Sequence, residues 1–222
     1  MTTKDYWGLE QAPPPPDTSG DFYERLRDGT SREILYDHAS YPNARVPLNS
    51  GTSLPVNPFV GQTFVYQADR ANGVYWMFVY LPDETVYPWK YVGGPPLSSE
   101  VATSESTAST TYVALATAGP SVTVPLNGDY DVKHGSGVQS PGSGTVAWMS
   151  YDIGATGAVD ADAVRVFSVP AGSNESACAR DKRKTTLAAA SALVAKYRTS
   201  NVAGTAFYQE RWMKVLPVRV KA

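Results

Sequence analysis

One cysteine, Cys178, stands in a chain of 222 residues. An intrachain disulfide is therefore excluded, and so is a thiolate zinc site, which takes several sulfurs. A lone reduced thiol is the expected state, with an interchain disulfide as the alternative. Histidine is nearly as scarce, with His38 and His134 alone. Neither charge sign is in excess, since 19 Lys and Arg stand against 21 Asp and Glu. Phosphate contacts dominate nucleic-acid affinity and call for a basic surplus, so no nucleic-acid partner is expected. The N-terminus, MTTKDYWGLE, lacks the basic start and apolar core of a signal peptide. The longest apolar run, LAAASALVA (187–195), falls far short of the ~20 residues that span a bilayer, so no membrane insertion is expected. The chain reads as folded in a cytoplasm. No internal repeat and no sustained heptad pattern occurs.

What is present favours strands joined by turns. Gly (18) and Pro (17) are frequent, and aromatic and β-branched residues outnumber long helix formers. The expected fold is mainly β, in three parts: an extended arm over 1–50, a small three-stranded β-meander over 51–97, and an antiparallel β-sandwich head over 98–222. In the arm, APPPP (12–16) is a stiff polyproline spacer. Before it, Tyr6, Trp7 and Leu9 form an aromatic anchor that either docks on a partner or folds back on its own chain. Residues 19–39 carry a short helix capped by Asp21 and broken near Gly29.

The segment 59–97 concentrates the aromatics, with seven between Tyr75 and Tyr91. GQTFVYQA, GVYWMFVYL and VYPWKYV read as three strands. In the second, Val74, Trp76, Phe78 and Tyr80 share one face, and Tyr75, Met77 and Val79 the other. Both faces are apolar, so cover on both sides is expected, from the next domain or from another copy of the chain. VGGPPL (92–97) then ends the sheet as a stiff joint.

Residues 98–222 hold strand-like runs with turn clusters between them: TTYVALA, SVTVPL, GDYDVKHG, GTVAWMSYDIG, DAVRVFSV and TAFYQERWMKVLPVRV. The last alternates imperfectly around QER, which predicts a bulge. RKTTLAAASALVAKYRT, and 184–198 within it, reads as strand, with helix as the alternative. The strand form aligns Leu187, Ala189, Ser191, Leu193, Ala195 and Tyr197.

No catalytic constellation, cofactor motif or metal-ligand spacing emerges. His134, in DYDVKHGSG, reads as a surface histidine beside a turn. Asp160 and Asp162 could face Ca²⁺, but a solvated hairpin accounts for them as well. The basic run Arg180, Lys182, Arg183 and Lys184 is a candidate polyanion contact, or a solvated or interface turn. GSGVQSPGSG (135–144) reads as a mobile connection. Trp89 and Trp148 are candidate platforms for stacking on sugar rings, against the alternative of core or interface positions.

One set of motifs has a familiar order. Pro55, Pro58, Gly61 and Gln62 lead into the Trp76, Phe78 and Tyr80 strand, and Trp89, Val92 and Gly93 to Leu97 close the segment. This resembles a module of tail-fibre and minor-tail proteins of bacteriophages, especially those infecting actinobacteria. The TTY and VPLNGDY strands that follow, with RWMKVLPVRV at the end, are similar to trimeric jelly-roll-like heads of such proteins. The resemblance implies a structural virion protein without enzymatic activity or cofactor. It further implies a homotrimer that binds other virion proteins of tail or capsid, and host attachment through a cell-surface glycan. The Tyr6, Trp7 and Leu9 arm would anchor it, and Tyr75, Trp76, Phe78, Tyr80 and Trp89 would form a subunit or module interface. The coiled-coil shaft of long tail fibres is missing. A short fibre, a baseplate or collar component, or a capsid decoration remains.

Overall fold

The computed structural model describes residues 49–82, 86–139, 145–167, 176–201 and 204–221. They belong to one compact unit. The anchor residues Tyr6, Trp7 and Leu9 and the helix expected within 19–39 lie outside them.

The described residues form thirteen strands: β1 (Ser50–Gly51), β2 (Thr63–Asp69), β3 (Val74–Tyr80), β4 (Trp89–Gly93), β5 (Leu97–Val101), β6 (Glu105–Thr107), β7 (Ser121–Thr123), β8 (Asn127–Gln139), β9 (Ala147–Ile153), β10 (Val164–Val166), β11 (Ser176–Leu187), β12 (Ala192–Thr199) and β13 (Ala206–Lys221). The protein is mainly β, and its strands form two sheets. The larger runs β1-β2-β3-β4-β13-β8-β11, with β5 and β6 also paired to β13; the smaller runs β10-β9-β12-β7. Their inner faces share one apolar core that includes Trp76, Tyr130, Val132, Met149, Tyr151, Leu193, Tyr197 and Tyr208. This is a β-sandwich, as the turn spacing predicts.

The spine is β13. On one side it pairs with β8 along most of its length; on the other it pairs in turn with β6, β5 and β4. Its inward residues change parity twice. Ala206 and Tyr208 are buried, then Arg211, Met213 and Val215, then Val220. Each change coincides with a register shift, at Gln209/Trp212 and at Pro217/Arg219. An extra residue in one strand turns every later side chain over, which is what a bulge does. The bulge expected at QER is therefore present, with Glu210 in the left-handed region at φ 47°. Its effect is to aim the Arg211 guanidinium inward, where it donates to the carbonyls of Thr117 and Thr103, at 3.2 Å each.

Tyr208 pins the sheets together. From β13 its hydroxyl accepts the Trp148 N–H at 3.1 Å and donates to the Arg198 carbonyl at 2.7 Å, within the paired β9 and β12.

Several expectations change. The three strands over 51–97 form, but β4 pairs directly with β13, so the sheet runs on into residues 98–221. Gly94 to Pro96 link β4 and β5, which both lie against β13. They also run close to β3: a Cβ on Gly94 (φ 134°) would stand 2.2 Å from the Tyr75 carbonyl oxygen. Trp76 Nε1 donates to the Pro95 carbonyl at 2.8 Å. TTYVALA is not a regular strand, and only Val113 bridges to Tyr197. The glycine-rich connection is strand as far as Gln139. The 184–198 segment is strand, split by a turn at 188–191 into the end of β11 and β12. Leu193, Ala195 and Tyr197 share the inward face of β12, as expected.

Candidate functional site

The basic run lies on β11, which is the edge of the large sheet. Arg180, Lys182 and Lys184 stand opposite His134, Val132 and Tyr130 of β8 and so face inward. Arg180 Nη1 donates to the Ala163 carbonyl at 2.7 Å. Lys182 donates to Asp162 at 2.7 Å and to the Ala161 carbonyl at 2.9 Å, and Lys184 also bonds Asp162. On the outer face, Arg183 grips Asp131 through two bonds of 2.9 and 3.1 Å. All four cations thus have protein partners, and the polyanion contact and the solvated turn both give way to a charged edge strand. Inward charges on an edge also discourage pairing with foreign strands.

Asp162 lies in a 3-10 turn (Asp160–Asp162) and is buried, contrary to the solvated-hairpin expectation. Burial works against its ionisation, but the two lysines outweigh it and hold the carboxyl below its usual range. Asp160 joins Arg198 through two contacts of 2.9 Å. Asp129 accepts from Arg219 at 2.7 Å, and Asp152 pairs with Lys196 at 3.2 Å.

His134 is not at the surface. It is fully buried on the inner face of β8, edge-on to the Tyr151 ring at 5.1 Å between centroids. Its Nε2 lies 3.3 Å from the Met149 carbonyl, which assigns the proton to Nε2. Among the described residues, neither Nδ1 nor the Tyr151 hydroxyl has a hydrogen-bond partner. Burial is the main cause that pushes the imidazole down to about 4. The ring is a neutral core group.

The two proposed sugar platforms are occupied. Trp89 is buried under Phe64 and Tyr80. Trp148 carries the Arg165 guanidinium 4.3 Å and the Arg198 guanidinium 3.9 Å from its ring centroid. Register explains this ladder, because Arg165 and Arg198 flank Trp148 on neighbouring strands.

The aromatic strand β3 resolves into an inner and an outer face. Val74, Trp76 and Phe78 enter the protein's own core, and Trp76 meets Tyr130 of β8 at 6.4 Å. Trp76 and Phe78 have no exposed surface for a second copy, and Trp89 keeps 2%, at a groove it lines. Tyr75 and Met77 point outward, 41% and 38% exposed, and Tyr80 is half-buried. Most large apolar side chains left exposed among the described residues lie in this part of the chain: Val56, Phe59, Val60, Tyr75, Met77, Val86 and Val92, against Val159, Phe167 and Phe207 elsewhere. Val56 and Val86 line a groove of about 610 Å³ with Pro55, Pro58, Tyr80 and Lys221. Contiguous apolar exposure is the property that sets interaction surfaces apart from the rest of a protein surface. The sequence points to an interface in this segment and to Tyr75 within it, but not to Val56, Phe59 and Val60. The turn-rich 52–62 loop has no periodicity from which to judge their exposure.

No family model matches the chain, and no curated protein matches it. Among solved structures, it is similar to the Eiger TNF of S. frugiperda (12% identity, TM-score 0.42, covering 58% of this chain and 96% of that one). It is also similar to chains of infectious bursal disease virus, strain Gx (14%, TM-score 0.34, 75% and 42%) and strain Gt (14%, TM-score 0.30, 65% and 43%). The protein spans less than half the length of the two viral chains. Likenesses this distant carry no functional inference.

Proposed function

We propose that this protein is a structural component of a bacteriophage particle, a short homotrimeric fibre-like element that works by binding rather than by turnover. The observation that carries the reading is the concentration of exposed apolar side chains between Val56 and Val92, which gives the chain a surface suited to assembly with other virion proteins. The ordered motifs from Pro55 to Leu97 that resemble phage tail-fibre and minor-tail modules supply the kind of assembly. The groups that suggested chemistry have structural duties instead: His134 in the core, Asp160 and Asp162 in ion pairs, and the 180–184 cations on acids and carbonyls. Three copies would present three equivalent host contacts, so weak sites gain avidity.

The test is immunogold labelling of intact particles with an antibody against residues 98–222, alongside light scattering of the purified chain. Gold at the tail and a trimer mass are the expected results. Gold over the head would make the protein a capsid decoration or head fibre. An unlabelled particle would remove the virion role, and a stable monomer would remove the trimer.

A further inference from the structure

The outer face of the large sheet carries a trough of about 570 Å³ beside the β13 bulge, within the size range of small-ligand sites. Register builds it. Glu100 of β5, Trp212 of β13, Gly135 of β8 and Ala179 of β11 stand side by side across four strands. Next along β8 and β11, Gly137 pairs with Ala177. Gly137, Ala177 and Ala179 keep part of the floor low, and Trp212, Lys214, Val101 and Cys178 line it as well. The indole rests on Gly135, where a Cβ would come within 2.7 Å of Cζ2 and 2.9 Å of Cε2.

Charge singles the trough out. Glu100 and Glu210 are both exposed, and neither has an ion pair or side-chain hydrogen bond among the described residues, whereas every other described carboxylate has a partner. These two line the same trough. Glu210 is also the bulge residue held at φ 47°, a conformation uncommon for a side chain of its kind. Lys214 lines the trough as well, with its Nζ 5.8 Å from the indole centroid.

We propose that this trough binds a neutral pyranose of a glycan. A sugar ring presents an apolar C–H face for Trp212. Its hydroxyls can donate to Glu100 and Glu210, and charge-assisted hydrogen bonds of that kind are the strong ones. A flat open floor suits a ring better than a lysine side chain, which needs a slot. Glu100 and Glu210 outnumber the one outward-facing cation of the trough, Lys214, and so disfavour uronic or sialic acids. The preference is thus opposite to that of a polyanion site on Arg180–Lys184. The inference deepens the host-contact role proposed above and takes its biological meaning from it.

The test uses the purified full chain, so it is independent of where the protein sits on a particle. Saturation-transfer NMR and calorimetry would be run with neutral gluco-, galacto-, manno- and N-acetylglucosamine oligosaccharides, and with heparin and hyaluronate as anionic probes. Saturable binding of at least one neutral oligosaccharide and of neither anionic polymer is expected. Glu100→Gln and Glu210→Gln, both exposed and harmless to folding, should each weaken it about tenfold, the scale of one hydrogen bond to a charged group. Trp212→Ala should abolish it, and Arg183→Gln, outside the trough, should leave it unchanged. Absence of binding across the neutral panel overturns the proposal. So does binding that the glutamine variants do not alter, a preference for the anionic polymers, or a glutamate-dependent preference for a lysine-rich peptide. A failed sugar test leaves the particle labelling to stand or fall by itself.

Discussion

His134 makes the stability of the sandwich depend on pH in a window that few other groups share. In the folded protein the imidazole is held at about 4, against an ordinary 6.5, chiefly because burial disfavours its charged form; Arg180 adds to the depression, while the Met149 carbonyl and Asp162 oppose it. Between these two values the unfolded chain binds a proton that the folded chain does not, so stability falls as pH falls. Across that interval each pH unit is worth about 1.36 kcal/mol. The loss should reach about 2 kcal/mol at pH 5 and approach about 3 kcal/mol near pH 4. The carboxylates with lowered values, Asp69, Glu105, Asp160 and Asp162, also lose stabilisation on acidification, but at lower pH. Among the described residues the interval from pH 7 to 5 therefore isolates the histidine. Equilibrium urea unfolding at half-unit steps would measure it, for the natural chain and for His134→Gln. The variant is expected to be less stable at pH 7 because it disturbs the core, but that offset does not matter. The slope does, and it should be nearly flat above pH 5 in the variant. If His134→Gln keeps the full pH dependence, or if the natural chain shows none between pH 7 and 5, the buried neutral imidazole is refuted.

Tyr208→Phe removes the hydroxyl bonded to Trp148 and Arg198 at a site with no exposure, and should cost about 2 kcal/mol. The equally buried Tyr197→Phe should cost about half as much, because the Gly119 carbonyl it leaves also faces Arg211; equal losses in urea titrations would refute the pin. Gly135→Ala places a methyl 2.4 Å from the Cys178 carbonyl oxygen and against Trp212, so a loss of about 1–3 kcal/mol is expected together with a change in tryptophan fluorescence. Phe59→Ser, at a side chain 68% exposed, should change stability by no more than about 0.5 kcal/mol yet reduce incorporation into particles. A stability loss of several times that size would show Phe59 to be core rather than contact surface.

The sequence shows strands where alternation is strong and both partners are local. β2, β3 and β4 were legible instead from their density of aromatic and β-branched residues between turn formers, and the bulge from the broken alternation between Phe207-Tyr208 and Trp212 and Val215. β5 and β6 were not legible. LSSEV and EST hold little apolar pattern, and they are strands because β13 offers them sixteen residues of open edge. TTYVALA failed in the opposite sense: its pattern suits a strand, but only Val113 finds a partner. Strand formation in such segments is decided by the neighbour, which no local window contains.

The same distinction separates the site residues that could be found from those that could not. A basic run reads as a ligand contact only until the acids that face it are known, and Asp131 and Asp162 come from elsewhere in the chain. Conversely, Glu100 and Glu210 belong to no motif in the sequence. They become a pair because β5 lies against β13 and because the bulge puts Glu210 at the turning point of the strand. Trp212 stands out only because the residue opposite it is Gly135, which lets the indole lie against the sheet. What distinguishes the trough from the other charged clusters is thus a difference in pairing across strands: among the described residues every other acid meets a donor from its own fold, and Glu100 and Glu210 meet none.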